Sequence, residues 1–261
     1  MAESTLSIKV DDLYEAVGDY LGLHSDRDEW RASETTRVTR YINGGLSKFY
    51  HHALTQIGGP GFQWSFLSPT LRVATVDDCA TVELPDDFGA IHGPLRYVDT
   101  SVSRSAIEIT SESRLMSAQQ QTTDSGYPVI AFVEVARGTG PLGQRSRLVL
   151  WPTPDDQYEL VGNYKLLPDA LTASNPYPLG GAAHRDTIIA ACLAEAELHG
   201  NDRVAAIHAG EYAKLLEGSV AMDMRNRPET FGLMLDPSVD QEGYCIPRDS
   251  TVLLYNGVPL E

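Results

Sequence analysis

Apolar residues recur at two different periods along this chain, and the changes of period divide it. Between 11 and 22, Leu13, Val17, Tyr20 and Leu21 fall on one helical face, and Asp11 or Asp12 can cap the start. Between 34 and 57, Val38, Tyr41, Ile42, Leu46, Phe49 and Tyr50 form a second stripe, with Arg37, Arg40 and Lys48 off it. Ser33 opens this helix. The run Gly-Gly-Pro-Gly at 58–61 stops it, because glycine favours a helix end and proline cannot continue one.

From there to about Leu167 the runs are short, β-branched or aromatic, and bounded by Gly, Pro, Asp and Ser. They are TLRVATV, ATVELP, PLRYV, YPVIAFVEVA, SRLVLWP and YELVGNYKLL. The connections are too short for repeated crossover helices, so the pattern predicts a mostly antiparallel β module, with one lone helix over 111–121. The stretch WPTPDDQYEL (151–160) reads as a hairpin turn whose carboxylates solvate it. Tyr158, Leu160 and Tyr164 then alternate toward the core, and Pro168 ends the strand in LLPDAL, the exit into helices.

Helical spacing returns at 182–200, with Ile188, Ile189, Cys192, Leu193 and Ala196 on one side and Gly200 as a terminator. Asn201 can cap a following helix at about 202–224. Its expected stripe is Val204, Ile207, Tyr212, Leu215 and Met222, with Leu216 at the edge and His208 inside as a core or boundary residue. The two helices read as an αα-hairpin closed by Pro228. Residues 228–261 show no helical period but are too apolar for a solvated tail.

The pattern therefore predicts an α+β chain: a helical bundle from the N- and C-terminal helices, an inserted antiparallel β module and an extended C-terminal arm. The expected bounds are 1–62, 63–170, 171–227 and 228–261. The arm is expected to order against a partner through Phe231, Leu233, Tyr244, Ile246, Val252, Leu253, Leu254 and Tyr255. Within it, Thr251 to Tyr255 suits strand addition to a neighbour's sheet edge.

Composition adds three things. At 261 residues and 42% hydrophobic, the chain can bury a sizeable core without staples. Its formal charge of −16 argues against non-specific binding to a phosphate backbone and suits a wall that DNA passes without adhering. The three cysteines, Cys79, Cys192 and Cys245, are too scattered for a disulfide frame or a zinc site and point to a reducing compartment. The first residues lack a basic segment followed by an apolar one, and no apolar run nears a membrane span of roughly 20 residues. The expectation is a soluble protein made in a cytoplasm.

Candidate chemistry is thin. GTGPLG (138–143) matches GxGxxG, but a strand-like run follows where a helix should, and Pro141 lacks an N–H for phosphate. His184-Arg185-Asp186 has none of the companion motifs of a kinase loop. His51 and His52 diverge by about 100° on a helix, awkward for one metal. Asp77-Asp78, Asp86-Asp87 and Asp155-Asp156 all fall in expected turns, where aspartate bonds nearby backbone N–H groups. No residue is assigned a catalytic, cofactor or metal role, and no enzyme is expected.

A resemblance rests on five blocks in order: QWSFLSPTLRV, VELPDDFGAIHGPLRYV, LVLWPTPDDQYELVGNYKLLPDAL, NPYPLGGAAH and ACLAEAELHGND. Together they resemble the head-to-tail adaptor, connector or neck proteins of tailed bacteriophages, over roughly residues 35–235. The resemblance implies a structural virion protein made in the host cytoplasm. It implies a homo-oligomeric ring, usually twelve-fold, that meets the portal protein and a tail or second neck protein while DNA passes through. A tail-completion protein or other neck scaffold is the alternative within this class, and a small soluble enzyme the alternative outside it. The arm of this chain matches no family motif.

Overall fold

The computed structural model describes residues 4–51, 62–99, 104–121, 125–137, 143–200, 207–226, 254–255 and 258–259. The chain forms two compact units, Met1–Asn226 and Arg227–Glu261.

The first unit contains two apolar cores. The helical core is built from both ends of the unit. Helix α1 (Val10–Tyr20) contributes Leu13 and Val17, and α2 (Ala32–Tyr50) contributes Val38, Tyr41, Ile42, Leu46 and Phe49. The predicted stripes of both helices are the buried faces. Their starts differ from expectation. Helix α1 begins at Lys9 and not at Asp11 or Asp12, because Asp12 sits in the first turn and its carboxylate accepts the Lys9 N–H at 2.9 Å. Helix α2 begins at Arg31, ahead of Ser33, and Glu34 accepts the Arg31 N–H at 2.9 Å. An acid at the third helical position does the capping in both cases, favoured there by the helix dipole. The end of α2 is His51; the Gly-Gly-Pro-Gly run lies outside the described residues.

Helix α4 (Arg185–His199) crosses α2 at close range. A Cβ on Gly45 would stand 2.6 Å from the Cys192 Cα, so glycine is what lets the two backbones meet. Helix α5 (Ile207–Asn226) lies against α4, joined by a 2.6 Å hydroxyl bond between Thr187 and Ser219. Here the predicted stripe is rotated. Leu216, Ser219, Val220 and Asp223 are buried, whereas Ile207 and Met222 are exposed. The polar members Ser219 and Asp223 face inward because each has a partner there, which an apolar count does not see.

The β module holds the second core. Strands β1 (Thr70–Ala74), β7 (Glu159–Leu166) and β3 (Phe88–Tyr97) form one antiparallel sheet in the order β1-β7-β3. Strands β2 (Thr81–Glu83), β6 (Gln144–Trp151), β5 (Ile130–Arg137) and β4 (Glu108–Ile109) form another, ordered β2-β6-β5-β4. Leu71, Leu95, Ile107, Leu148, Leu150 and Leu160 are almost fully buried in this core. Strand β4 has no counterpart in the apolar pattern; it is two residues long and runs parallel to β5. Helix α3 (Glu112–Gln121) follows it, as the pattern of 111–121 predicts.

One expectation is corrected. The stretch from Trp151 to Tyr158 is not a hairpin turn, because β6 and β7 belong to different sheets. It crosses from one sheet to the other. Pro154 O accepts the Asp78 N–H at 2.9 Å, and Tyr158 O accepts the Thr75 N–H at 2.8 Å, so backbone bonds anchor the crossing. The hairpin pairing is instead β5 with β6, from Ile130↔Trp151 to Arg137↔Gln144. The GTGPLG run lies, but for Gly143, outside the described residues; a strand, β6, follows it and pairs with the strand that precedes it. Tyr158, Leu160 and Tyr164 do point into or against the β core, and Leu166 packs on both cores, marking the exit into the helices.

In the second unit, β8 (Leu254–Tyr255) pairs antiparallel with β9 (Val258–Pro259).

Candidate functional site

An aromatic cluster precedes β1 and meets the end of α2. Trp64 is buried and donates its indole N–H to Phe49 O at 3.0 Å. Its ring lies 4.9 Å from Phe49, 5.3 Å from Phe66 and 5.1 Å from His184. His184 is buried among these rings, at the start of α4, and its Nδ1 has no hydrogen-bond partner. Burial lowers its pKa, and the charge of Asp223 pulls the other way. Asp223 itself accepts the Ser65 N–H at 3.1 Å and the Ser65 hydroxyl at 2.5 Å. The cluster thus joins four places in the sequence: the end of α2, the entry to the β module, the start of α4 and the end of α5.

Two further carboxylates do structural work that the sequence pattern did not reveal. Glu197 on α4 accepts the backbone N–H groups of Ile207, His208 and Ala209 at 2.9, 3.0 and 3.3 Å, capping α5 from outside. Glu195 pairs with Lys48 on α2 and with His199 Nε2 at 3.0 Å, and the His199 ring stacks on Tyr41. Both acids are buried on a helix that composition reads as alanine-rich and apolar. Their only sequence signal is a glutamate inside an apolar run.

The acidic residues in turns bond side chains of the β module. Asp87 accepts the Tyr164 hydroxyl at 3.0 Å, Asp155 accepts the Tyr158 hydroxyl at 2.6 Å, and Asp86 pairs with Arg145. Asp78 takes a left-handed backbone with φ 57°, which aspartate tolerates in tight turns. His208 stands at a boundary, edge-on to Tyr20 and 3.6 Å from Glu211. Cys192 is buried and its thiol is pushed up to about 12 by burial. Among the described residues, no group of three or more His, Cys, Asp or Glu could hold a metal ion.

Of the residues expected to bind a partner, Leu254 and Tyr255 form β8. Phe231, Leu233, Tyr244, Ile246, Val252 and Leu253 lie outside the described residues.

In the first unit the buried acids Glu195, Glu197 and Asp223 cap a helix and lock packed elements to one another. The class to which the chain belongs is that of bacteriophage adaptor proteins. The family model described as SU10 adaptor protein matches residues 8–231, from the start of α1 to beyond the end of α5, and the chain belongs to that family. No curated protein matches the chain.

Proposed function

We propose that the protein is a head-to-tail adaptor of the phage neck: a ring, twelve-fold by resemblance, seated between portal and tail, which extends the DNA channel and docks the tail. The observation that carries this reading is the family match over residues 8–231, which takes in both cores. The fold suits the role. The N- and C-terminal helices of the first unit share one core, and the β module inserted between them has its own. In this reading Phe231, Leu233, Tyr244, Ile246, Val252, Leu253, Leu254 and Tyr255 contact a neighbouring chain of the neck, the portal or the adjacent adaptor.

The charge of −16 suits a channel wall, since like charge keeps the DNA backbone from adhering, over a reach of about 8 Å at physiological salt. Among the described residues no helix is long and apolar enough to cross a membrane. Electron microscopy of purified virions tests the proposal. It is supported by density for this chain in a closed ring below the portal. A chain absent from particles, or present as a two-fold dimer, overturns it.

A further inference from the structure

Strand β5 is covered along only part of its outer edge. Its even-numbered residues point their backbone groups at β6, as the register Phe132↔Val149, Glu134↔Arg147 and Ala136↔Arg145 requires. Its odd-numbered residues point the other way. On that side Thr110 N–H donates to Ala131 O at 2.8 Å, and this is the last bond that the β4 segment makes. Beyond it, the N–H and C=O groups of Val133 and Val135 have no backbone partner among the described residues. Val135 is 58% exposed, on the same sheet face as the partly buried Val133. Natural sheets usually blunt such an edge with charge, proline or a cover. The opposite sheet follows that rule: its edge strand β1 is preceded by Pro69 and carries Arg72, paired with Glu159. On β5 the charged Glu134 pairs with Arg147 of β6, and the two residues whose backbone groups face outward are valines.

The second unit supplies a matching strand. A two-stranded hairpin is marginal on its own and gains stability when a further strand joins it. In the β8–β9 hairpin, Pro259 removes one backbone donor from β9, so β8 is the edge better able to extend a sheet. The two residues of β8, Leu254 and Tyr255, are apolar in sequence.

We propose that β8 of one copy adds to the open edge of β5 in a second copy of this chain, pairing with Val133 and Val135. The contact joins two different surfaces, as the head-to-tail interface of a closed ring must. It rests on the ring reading above and names a contact within it.

The test uses the full-length chain and its assembled form. Val135→Pro removes only the outward N–H and fits an edge strand, so it should keep the melting temperature of the parent while weakening assembly by about tenfold or more. Glu134→Pro, whose N–H bonds β6, is the control for a proline that damages the fold. In parallel, the pair Val135→Cys and Leu254→Cys is oxidised and resolved by denaturing gel. Crosslinks between copies, with slowed amide exchange at Val133 and Val135 on assembly, are the expected result. A crosslink confined to single chains, or a Val135→Pro protein that assembles like the parent, overturns the contact. Either of these with the chain still found in a neck ring leaves the adaptor reading standing. Absence of the chain from virions strikes at that reading instead.

Discussion

Asp223 and Ser65 are 158 positions apart, and the carboxylate of one accepts both the backbone N–H and the hydroxyl of the other. The bond ties the last turns of α5 to the entry of the β module. Asp223 is only 3% exposed, so its charge is stabilised by these donors and not by bulk water.

Removing that acceptor should be costly. Hydrogen bonds to a buried charge contribute about 1.5–3 kcal/mol, so Asp223→Ala is expected to lower unfolding free energy by about 2–3 kcal/mol. Ser65→Ala keeps the backbone donor and should cost about 1 kcal/mol. Urea unfolding of the two variants checks the ranking. Equal effects would show that the hydroxyl and not the backbone bond dominates.

The neighbouring histidine gives a pH dependence with a definite sign. Burial among Phe49, Trp64 and Phe66 holds the folded-state pKa of His184 below 6.5, although Asp223 opposes the shift. The folded chain therefore binds this proton less readily than the unfolded one. The stabilisation is complete above the ordinary pKa of about 6.5 and is lost as pH falls below it. His184→Phe keeps a ring in the cluster and has no proton to bind. Denaturation midpoints measured from pH 8 to pH 5 should fall more steeply for the parent than for the variant. Parallel curves would remove His184 from the account.

Helix α5 starts on a carboxylate borrowed from α4. Glu197 accepts three orphan N–H groups there, a task that a local Ser, Thr, Asp or Asn usually performs. Glu197→Gln can still accept hydrogen bonds but loses the charge, and Glu197→Ala loses both. We expect losses of about 1 and 2–3 kcal/mol respectively, with faster amide exchange at Ile207, His208 and Ala209. A Glu197→Ala protein with unchanged exchange would show that the α5 terminus is held by something else.

The elements that the sequence revealed are those whose burial is decided by apolar residues alone. Leu13 and Val17, the stripe from Val38 to Phe49, and Ile188 with Cys192 all lie where their spacing put them. The misses share a different cause. The face of α5 departs from its apolar stripe because Ser219 and Asp223 are buried through long-range partners. The starts of α1 and α2 fall earlier than their sequence signals because Asp12 and Glu34 cap from inside the helix. The crossing at Trp151–Tyr158 resembles a hairpin turn locally, and only the pairing of β7 with β1 and β3 separates the two sheets. Strand β4 is two residues long, too short for any period to show. Of the candidate partner residues, the sequence could name apolar side chains in the arm but not the strand edge that would receive them, since an open edge is a property of pairing.

Two cysteines should report the packing directly. Cys192 is fully within the helical core and its thiol is raised to about 12, whereas Cys79 sits half-buried at a turn of the β module. In a Cys245→Ser chain, a thiol reagent at pH 8 should modify Cys79 and leave Cys192 intact until denaturant is added, because the thiolate is the reacting form. Rapid labelling of Cys192 in the native protein would show that α4 separates from α2 far more often than the packing implies.

The contact that keeps Cys192 covered also predicts opposite effects for the same substitution in two helices. Alanine is favoured over glycine inside a helix by about 1 kcal/mol. At Gly218 on α5 nothing lies within 4 Å of where the methyl would go, so Gly218→Ala should raise stability by about that amount. At Gly45 the methyl would stand 2.6 Å from the Cys192 Cα and 2.7 Å from its backbone nitrogen. Backbone atoms of a packed helix cannot swing aside as a side chain can, so α2 and α4 must move apart. Overpacking of this kind costs about 1–3 kcal/mol, which outweighs the propensity gain, and it also loosens the bundle that carries the β module. Gly45→Ala is therefore expected to lower the melting temperature and to speed labelling of Cys192, while Gly218→Ala raises the first and leaves the second unchanged. A Gly45→Ala protein as stable as the Gly218→Ala one would mean that the helices do not approach at this point.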